Sequence, residues 1–315
     1  MPLNRKARTW LTESYAGDVT FEEPMSDHTS FKVGGPADAL VRPKKRDDLV
    51  RLVRWASEHG ITYMPIGAGS NILVRDSGIR GIVILLDGCL QTIAAKNPAS
   101  GHPVVVAGAG VKLPALCAYA LKHGFKGFNF ILGIPGTVGG GLRVNAGAGG
   151  RSMGDVVETV GLLMPGGSIR TLQKTDLHFS YRNLDWPPEL TAEPGSTPII
   201  LEADFCLKQA GKPGIRQEAR QILKLRNAHQ PWTAPSAGCI FKNPVGDRSA
   251  GQLIDMAGLK GKRIGDAQVS PKHANFIVNR GQATAGDILV LMDIIRTSVY
   301  ERYRIKLEAE VRIVG

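Results

Sequence analysis

The stretch ILGIPGTVGGGLRVNAGAGG, residues 131–150, contains eight glycines in twenty positions. Each glycine inside a helix or strand costs about 0.5–1 kcal/mol relative to alanine, because it loses more backbone freedom on folding. The composition therefore predicts a segment without regular helix or strand. The interleaved Ile, Leu, Val and Pro residues argue against a flexible linker. We interpret residues 131–150 as an ordered loop whose backbone closely approaches a ligand.

A second glycine turn lies earlier in the chain. GAGSN, residues 67–71, follows an expected strand, ITYMPI, at 61–66. Successive backbone N–H groups in such a turn form an anion-binding concavity that suits a pyrophosphate. The dinucleotide fingerprint G-x-G-x-x-G is incomplete, because Ile72 occupies the third glycine position. Alone, the segment fits a plain turn equally well; together with residues 131–150 it indicates a long ligand with two phosphates.

Helical and strand patterns alternate around these turns, which predicts a mixed α and β class. Residues 47–59 repeat apolar side chains at helical spacing, and Gly60 is placed to end that helix. The chain closes with LEAEVRIVG, residues 307–315, in which apolar and polar side chains alternate as in a strand. Further strands are expected at 81–86, 104–110, 155–164, 168–172 and 198–208, and helices at 112–124 and 215–229. A Thr284–Asp287 capping box predicts the start of a third, long helix. One face of that helix carries Ile288, Leu291, Met292, Ile295 and Val299.

The length of 315 residues suggests about two domains. No apolar run reaches the ~18 residues that a membrane span needs. The basic start, MPLNRKARTW, has no apolar stretch behind it, so we expect no signal peptide and a cytoplasmic protein.

The formal net charge is +11. This charge fits either a solvated basic surface or attraction of an anionic ligand. The sequence contains no run of five or six Lys or Arg residues and no alternation of basic and aromatic residues, so nucleic acid is not an expected partner.

The four cysteines form no C-x-x-C pair, and no His pair has metal-ligand spacing, so we expect neither a zinc site nor a disulfide framework. Cys89, Cys117 and Cys206 have apolar neighbours in sequence and are expected in the core. Cys239 lies in PSAGCIFKNP, residues 235–244, and fits a buried filler, a metal ligand, a nucleophile or a proton donor.

An ordered set of motifs spans nearly the whole chain and resembles the MurB family, the UDP-N-acetylenolpyruvoylglucosamine reductases of peptidoglycan synthesis. Each motif is moderately specific, and the set in this order is highly specific. The motifs are HTSFKVGGPA (28–37), GAGSNILVRDSGIRG (67–81), GIPGTVGGGLRVNAGA (133–148), YR (181–182), SAGCIFKNP (236–244), AGQLIDMAGLKG (250–261), KHANFIVN (272–279) and LEAEVRIVG (307–315).

The resemblance implies an α+β fold in which a two-subdomain FAD-binding domain of the vanillyl-alcohol-oxidase (PCMH) type precedes a smaller substrate-binding domain. We expect the first domain at 1–210, with subdomains of about 1–88 and 89–210, and the second at 211–315. The implied cofactor is noncovalent FAD, and NADPH is the implied reductant. The implied substrate is UDP-N-acetylglucosamine enolpyruvate, reduced by a monomer that contacts neither nucleic acid nor membrane.

The resemblance also implies roles for individual residues. Arg182 and Glu310 would stabilise the intermediate, and Cys239 stands where the family usually has a proton-donating serine. A carboxylate repels an enolate, so Glu310 helps only when it is protonated or orients another donor. The implied substrate contacts are Tyr181, His229, Lys242 and Asn243, and the implied FAD contacts are Gly67, Gly69, Ser70, Asn71, Gly133, Pro135, Gly136, Thr137, Gly139, Gly140, Asn145, Ala146 and Gly147.

Several departures from the family pattern leave other interpretations open. Cys239 fits a passive small hydrophobe as well as a donor. His229 replaces a common lysine, Gly149 replaces a common tyrosine, and the interval from Arg182 to Cys239 is short, as in the type II enzymes. The alternatives are another flavin oxidase of the same superfamily and a flavin- or UDP-sugar-binding protein without catalysis.

Overall fold

The structure is a computed structural model that describes residues 3–96, 101–190 and 197–315. The α-helices in these ranges are α1 Arg5–Glu13, α2 Arg46–Glu58, α3 Leu113–His123, α4 Val138–Arg143, α5 Lys212–His229, α6 Ala250–Met256 and α7 Ala285–Tyr303. The strands are β1 Asp18–Pro24, β2 Pro36–Arg42, β3 Tyr63–Ile66, β4 Ile72–Val74, β5 Ile79–Leu85, β6 Ile93–Lys96, β7 Val104–Gly108, β8 Phe125–Lys126, β9 Gly147–Ala148, β10 Arg151–Ser152, β11 Val157–Leu163, β12 Ile169–Gln173, β13 His178–Ser180, β14 Asn183–Asp185, β15 Ile199–Cys206, β16 Lys208–Gln209, β17 Arg263–Ile264, β18 Ala267–Val269, β19 Ile277–Asn279 and β20 Arg312–Val314.

The mixture of helices and strands confirms the predicted α+β class. The left-handed φ of +62° at Gly60 follows the end of α2 as expected. Thr284 and Asp287 form the predicted capping box of α7. Helix α5 begins at Lys212 instead of Ile215, because Pro213 fits the first helical turn, where no N–H partner is needed. The predicted apolar face of α7 is buried at Ile288, Leu291, Met292, Ile295 and Val299.

The chain forms two compact units, each with its own apolar core. Unit 1 comprises Met1–Phe21, Ala39–Ala68 and Gly81–Lys224. Its larger sheet has five antiparallel strands in the order β12-β11-β15-β7-β6. A second sheet has the order β1-β2-β5-β3, and its β3–β5 pair is parallel. The indole rings of Trp10 in α1 and Trp55 in α2 stack 3.9 Å apart.

The glycine-rich stretch contains a helix, so the prediction of no regular structure at residues 131–150 was wrong. Helix α4 has the sequence VGGGLR and is capped by Thr137, whose Oγ1 accepts a hydrogen bond from Gly140 N at 3.4 Å. A Cβ atom at Gly139 would lie 2.9 Å from Ala109 Cβ, and one at Gly141 would lie 2.6 Å from Met153 Sδ. Close packing therefore requires glycine here and offsets its poor helix propensity.

Unit 2 comprises Glu22–Asp38, Gly69–Arg80 and Leu225–Gly315. Strand β4 pairs in parallel with β20, and Leu73 lies opposite Ile313. The Asp76 carboxylate accepts hydrogen bonds from Ala285 N and Gly286 N, both at 2.9 Å, at the start of α7. These contacts explain why residues 69–80 group with the C-terminal part of the chain.

The compact units therefore do not follow the contiguous division at residues 210 and 211. The assignment of 1–210 to the cofactor and of 211–315 to the substrate stays a prediction. None of the helices in the described part of the chain combines the length and apolar character needed to cross a membrane.

The predicted core position was right for Cys117, which is 4% exposed. It was right in part for Cys89, which is partly buried and packs against the core, and wrong for Cys206, which is partly exposed. Cys206 is the last residue of β15, where the chain leaves the sheet. Burial and the nearby Asp48 and Asp87 carboxylates raise the pKa of the Cys89 thiol to about 11. Burial and Glu158 also raise the pKa of Cys206.

Candidate active site

The two predicted phosphate-binding segments meet within unit 1, at Gly67 and Thr137. A Cβ atom at Gly67 would lie 2.3 Å from Thr137 Oγ1, so the turn after β3 lies directly against the start of α4. Gly136, with φ of +148°, accepts a hydrogen bond from Leu113 N at 2.9 Å, which ties the loop to α3. Gly133 also has a positive φ, of +74°. The fold therefore brings these two glycine segments together.

Substituting alanine for Gly67 is expected to lower the free energy of unfolding by about 1–3 kcal/mol, because the methyl group clashes with Thr137. Turning the threonine away would also remove its cap of α4. Gly166→Ala is the control, because no atom lies within 4 Å of the position that its Cβ would take. Urea unfolding of both variants measures the effect. Equal midpoints for Gly67→Ala and the wild type would contradict the packing argument.

The rest of the GAGSN turn, Gly69 to Asn71, belongs to unit 2. Gly69 has a φ of +60°, and a Cβ there would lie 2.0 Å from His28 O. Its carbonyl accepts from Ser30 N at 3.0 Å. Asn71 donates from Nδ2 to Glu310 O at 3.3 Å. Ser70 lies between them and is half-buried. Residues 69–71 are thus fixed to the C-terminal segment of unit 2 that carries Glu310.

Arg182 lies in the turn between β13 and β14, in a left-handed conformation with φ of +60°. Uncommon backbone conformations of this kind are concentrated at functional sites. The half-buried guanidinium donates from Nη1 to Gly147 O at 2.9 Å and lies 5.4 Å from the centre of the Tyr181 ring. Tyr181 is 53% exposed. The fold therefore brings Tyr181, Arg182 and Gly147 together, as three of the predicted site residues.

Two side chains from the glycine-rich stretch hold this hairpin. Asn145, 7% exposed, donates from Nδ2 to Ser180 O at 2.9 Å and accepts at Oδ1 from Gly154 N at 3.0 Å. Arg143 donates from Nη1 to Leu184 O at 2.8 Å. The contact predicted between Asn145 and a cofactor stays a prediction. Sequence reasoning missed Arg143, although it is the one charged residue in 131–150.

Gly149 lies in the turn of the hairpin between β9 and β10. Gly149 and Gly150 form its turn with φ of +62° and +76°. Two successive positive φ angles are typical of a type I′ turn, which disfavours residues with a side chain. Pro135, Ala146 and Gly147 lie within residues 131–150, and their predicted cofactor contacts stay predictions.

Unit 2 brings the segments of Cys239 and Glu310 together. Phe241 and Ala309 form an antiparallel β-bridge. Glu310 N donates to Ile240 O at 2.8 Å, immediately after Cys239 in the chain. Cys239 and Glu310 are both half-buried. The thiol and the carboxyl group are therefore carried by adjacent, hydrogen-bonded backbone segments, which spacing in the sequence does not reveal.

The predicted substrate contacts of this unit differ in their surroundings. Lys242 Nζ lies 3.5 Å from Glu308 Oε2, and its side chain is 31% exposed. Asn243 Oδ1 accepts from Ala250 N at 3.1 Å and so caps the start of α6. His229 is exposed at the last residue of α5. Contacts of these three residues with a substrate stay predictions.

His273 is a partly buried imidazole beside this segment. Burial lowers its pKa, and the nearby Lys260 and His229 lower it further. His273 Nδ1 accepts from Asn275 N at 3.2 Å, which requires the ring nitrogen to be unprotonated. The neutral form of His273 therefore supports the loop before β19.

The lowered pKa predicts a loss of stability in acid. Below about pH 6.5 the unfolded chain takes up a proton that folded His273 does not, so the free energy of unfolding falls as the pH drops. His273→Asn keeps an acceptor near the Nδ1 position but does not titrate, and we expect it to lose less stability. Urea unfolding at about pH 7.5 and about pH 5.5 measures both proteins. The same pH dependence in both would contradict the assignment to His273.

Within the described ranges, no cluster of three or more His, Cys, Asp and Glu side chains is arranged to hold a metal ion. Unit 1 contributes the glycine segments and the Arg182 hairpin as candidate groups. Those of unit 2 are the paired Cys239 and Glu310 segments.

Comparison with known proteins identifies the family. Residues 37–173 match the model of an FAD binding domain, which confirms the implied cofactor-binding fold, and residues 230–314 match the C-terminal domain of UDP-N-acetylenolpyruvoylglucosamine reductase. Proteins named as this reductase are 45% identical over 98% of both chains in Desulfosudis oleivorans, and 44% identical over 100% of this chain and 97% of the relative in Symbiobacterium thermophilum. The crystal structure of MurB from Thermus caldophilus aligns with a TM-score of 0.77 and 35% identity, over 95% of this chain and 99% of its own. The chain therefore belongs to the UDP-N-acetylenolpyruvoylglucosamine reductase (MurB) family.

Proposed function

We propose that this protein uses NADPH and FAD to reduce UDP-N-acetylglucosamine enolpyruvate to UDP-N-acetylmuramate in cytoplasmic peptidoglycan synthesis. Membership of the reductase family carries the proposal, and the main-chain hydrogen bond from Glu310 N to Ile240 O, at 2.8 Å, supports its catalytic part. This hydrogen bond supports a joint role for a thiol and a carboxyl group in a chain whose relatives bear the reductase name.

The glycine segments suit a bound FAD in their residue type. The glycines at 67, 69, 133, 136, 139 and 140 carry no side chain, which would allow a diphosphate to approach the backbone closely. Thr137 and Asn145 would support this backbone from within the protein. When bound and reduced by NADPH, the flavin supplies a hydride to the enolpyruvyl group.

Hydride addition to the terminal carbon leaves negative charge on the carbon beside the substrate carboxylate. Arg182 presents a planar guanidinium fork that matches a carboxylate or enolate. Its hydrogen bond to Gly147 O fixes one edge of the fork. A protonated Glu310 would donate a hydrogen bond to the same charge, whereas an ionised Glu310 would repel it. We assign Arg182 and Glu310 to stabilisation of the enolate.

Cys239 then completes the reaction. The S–H bond breaks, the proton goes to the carbanionic carbon, and the thiolate takes a proton from water to restore the thiol. A thiol, with a pKa of about 8.5, loses its proton far more readily than an alcohol, so cysteine can replace serine as the acid. The requirement is that the thiol stays protonated until the enolate forms.

The remaining predicted contacts suit the anionic end of the substrate. Lys242 supplies a cation, His229 supplies an imidazole that can hydrogen-bond, and Tyr181 and Asn243 supply polar donors. The net charge of +11 attracts a diphosphate substrate at long range.

The decisive experiment reduces the purified flavoprotein with NADPH without oxygen and then adds UDP-N-acetylglucosamine enolpyruvate. We expect the flavin absorbance to return as the substrate is reduced. Flavin that is reduced but never reoxidised by this substrate would favour a silent binding protein. Rapid oxygen consumption with a small alcohol would favour a flavin oxidase instead.

A further inference from the structure

Asn275 holds the Cys239 segment through its side chain. The residue lies between β18 and β19 and is 3% exposed. Its Oδ1 accepts from Phe241 N at 3.0 Å, and its Nδ2 donates to Phe241 O at 2.8 Å. Its main-chain carbonyl also accepts from Ile240 N at 2.9 Å. One buried residue thus makes three hydrogen bonds to the two residues after Cys239.

The same segment is also bound by residues 308–310, the Glu310 segment. Glu310 N donates to Ile240 O at 2.8 Å, and Lys242 N donates to Glu308 O at 2.9 Å. Before Cys239 stands Gly238, with φ of +75° and no atom within 4 Å of a Cβ position. The backbone of Cys239 is therefore constrained from its C-terminal side, by Asn275 and the Glu310 segment.

We propose that Asn275 is a positioning residue for proton transfer, which acts by fixing Cys239 relative to Glu310. Its side-chain amide bonds both the N–H and the carbonyl of Phe241, as a residue of a paired β-strand would, because the amide offers one donor and one acceptor. A displacement of about 1 Å at a reacting group can cost about 100-fold in rate. The inference rests on the proposed role of Cys239.

Asn275→Leu keeps the approximate side-chain size and removes both amide hydrogen bonds. We expect flavin reduction by NADPH within about 2-fold of wild type and reoxidation by the enolpyruvyl substrate slower by about 10- to 100-fold. In a Cys239→Ala background, the same substitution should cost less than about 3-fold, because the group it positions is gone. An equal loss in both backgrounds would overturn the proposal.

Asn279→Leu is the matched control. Asn279 is 4% exposed and lies in the same unit, and its amide also bonds main-chain groups, donating to Phe31 O at 3.1 Å and accepting from Gly281 N at 2.9 Å. We expect a comparable loss of stability with nearly normal reoxidation. If Asn279→Leu slows reoxidation as much as Asn275→Leu does, general loosening of the unit is the explanation, and the positioning role fails.

A second variant and a second measurement cover the remaining outcomes. Asn275→Asp keeps the acceptor for Phe241 N and tests the donor alone if the leucine variant does not fold. If the wild type does not reoxidise its flavin with this substrate, the proposed function fails. The rate of Cys239 alkylation by iodoacetamide then tests the position of the thiol without any turnover. The parent protein for this test has its other three cysteines replaced by alanine. Adding Asn275→Asp to it should change the alkylation rate several-fold, and adding Asn279→Leu should not. Equal alkylation rates in the parent and both variants would overturn the proposal.

Discussion

Replacing Cys239 with alanine is expected to slow reoxidation of the reduced flavin by the enolpyruvyl substrate by about 10²–10⁴-fold, the usual contribution of a general acid. Reduction of the flavin by NADPH should stay near the wild-type rate, because that step needs no proton from the thiol. Stopped-flow absorbance of the flavin separates the two steps. Cys206→Ala is the control, because its partly exposed thiol lies at the end of β15 in unit 1.

The pH profile distinguishes a donor from a filler. A thiol donates only while protonated, so the wild-type reoxidation rate should fall as the pH rises through the thiol pKa, which is about 8.5 in free cysteine. Cys239→Ser should retain activity and lose this alkaline limb, because a hydroxyl stays protonated throughout. An unchanged profile in the serine variant, or full activity in Cys239→Ala, would leave Cys239 as a small hydrophobic residue and assign the acid to water.

Substituting alanine for Arg182 should lower the reoxidation rate by about 10²–10³-fold, as loss of one charge-stabilising donor does in other enzymes. Arg182→Lys should recover only part of this loss, because an ammonium group lacks the planar fork. The bond from Nη1 to Gly147 O shows that this side chain is held by the backbone of the glycine-rich stretch.

Arg170→Ala is the matched control for charge, since Arg170 is exposed on β12 of the same unit. It removes one cation from the protein without touching the hairpin. Equal slowing by Arg170→Ala and Arg182→Ala would indicate that long-range attraction of the substrate is responsible. Wild-type reoxidation in Arg182→Ala would remove Arg182 from the mechanism.

Local patterns in the sequence were enough to predict much of the fold. Side-chain periodicity predicted α2 and α7. The Thr284–Asp287 capping box could be predicted from sequence because its hydrogen bonds join residues only three positions apart. The prediction at α4 was wrong because the helix propensity of glycine describes the residue type alone and takes no account of tertiary contacts. Whether a larger residue could replace Gly139 or Gly141 depends on Ala109 and Met153, which are distant in sequence.

The sequence by itself determined the family, because the identities and order of the motif residues can be compared without knowledge of their positions in space. It also supplied Arg182, Cys239 and Glu310 as candidates. Only the tertiary structure decided that Glu310 pairs with the Cys239 segment and that Asn275 also binds that segment. Those relations join residues up to tens of positions apart through backbone hydrogen bonds, and their partners are set by how strands and loops pack, which no local pattern encodes.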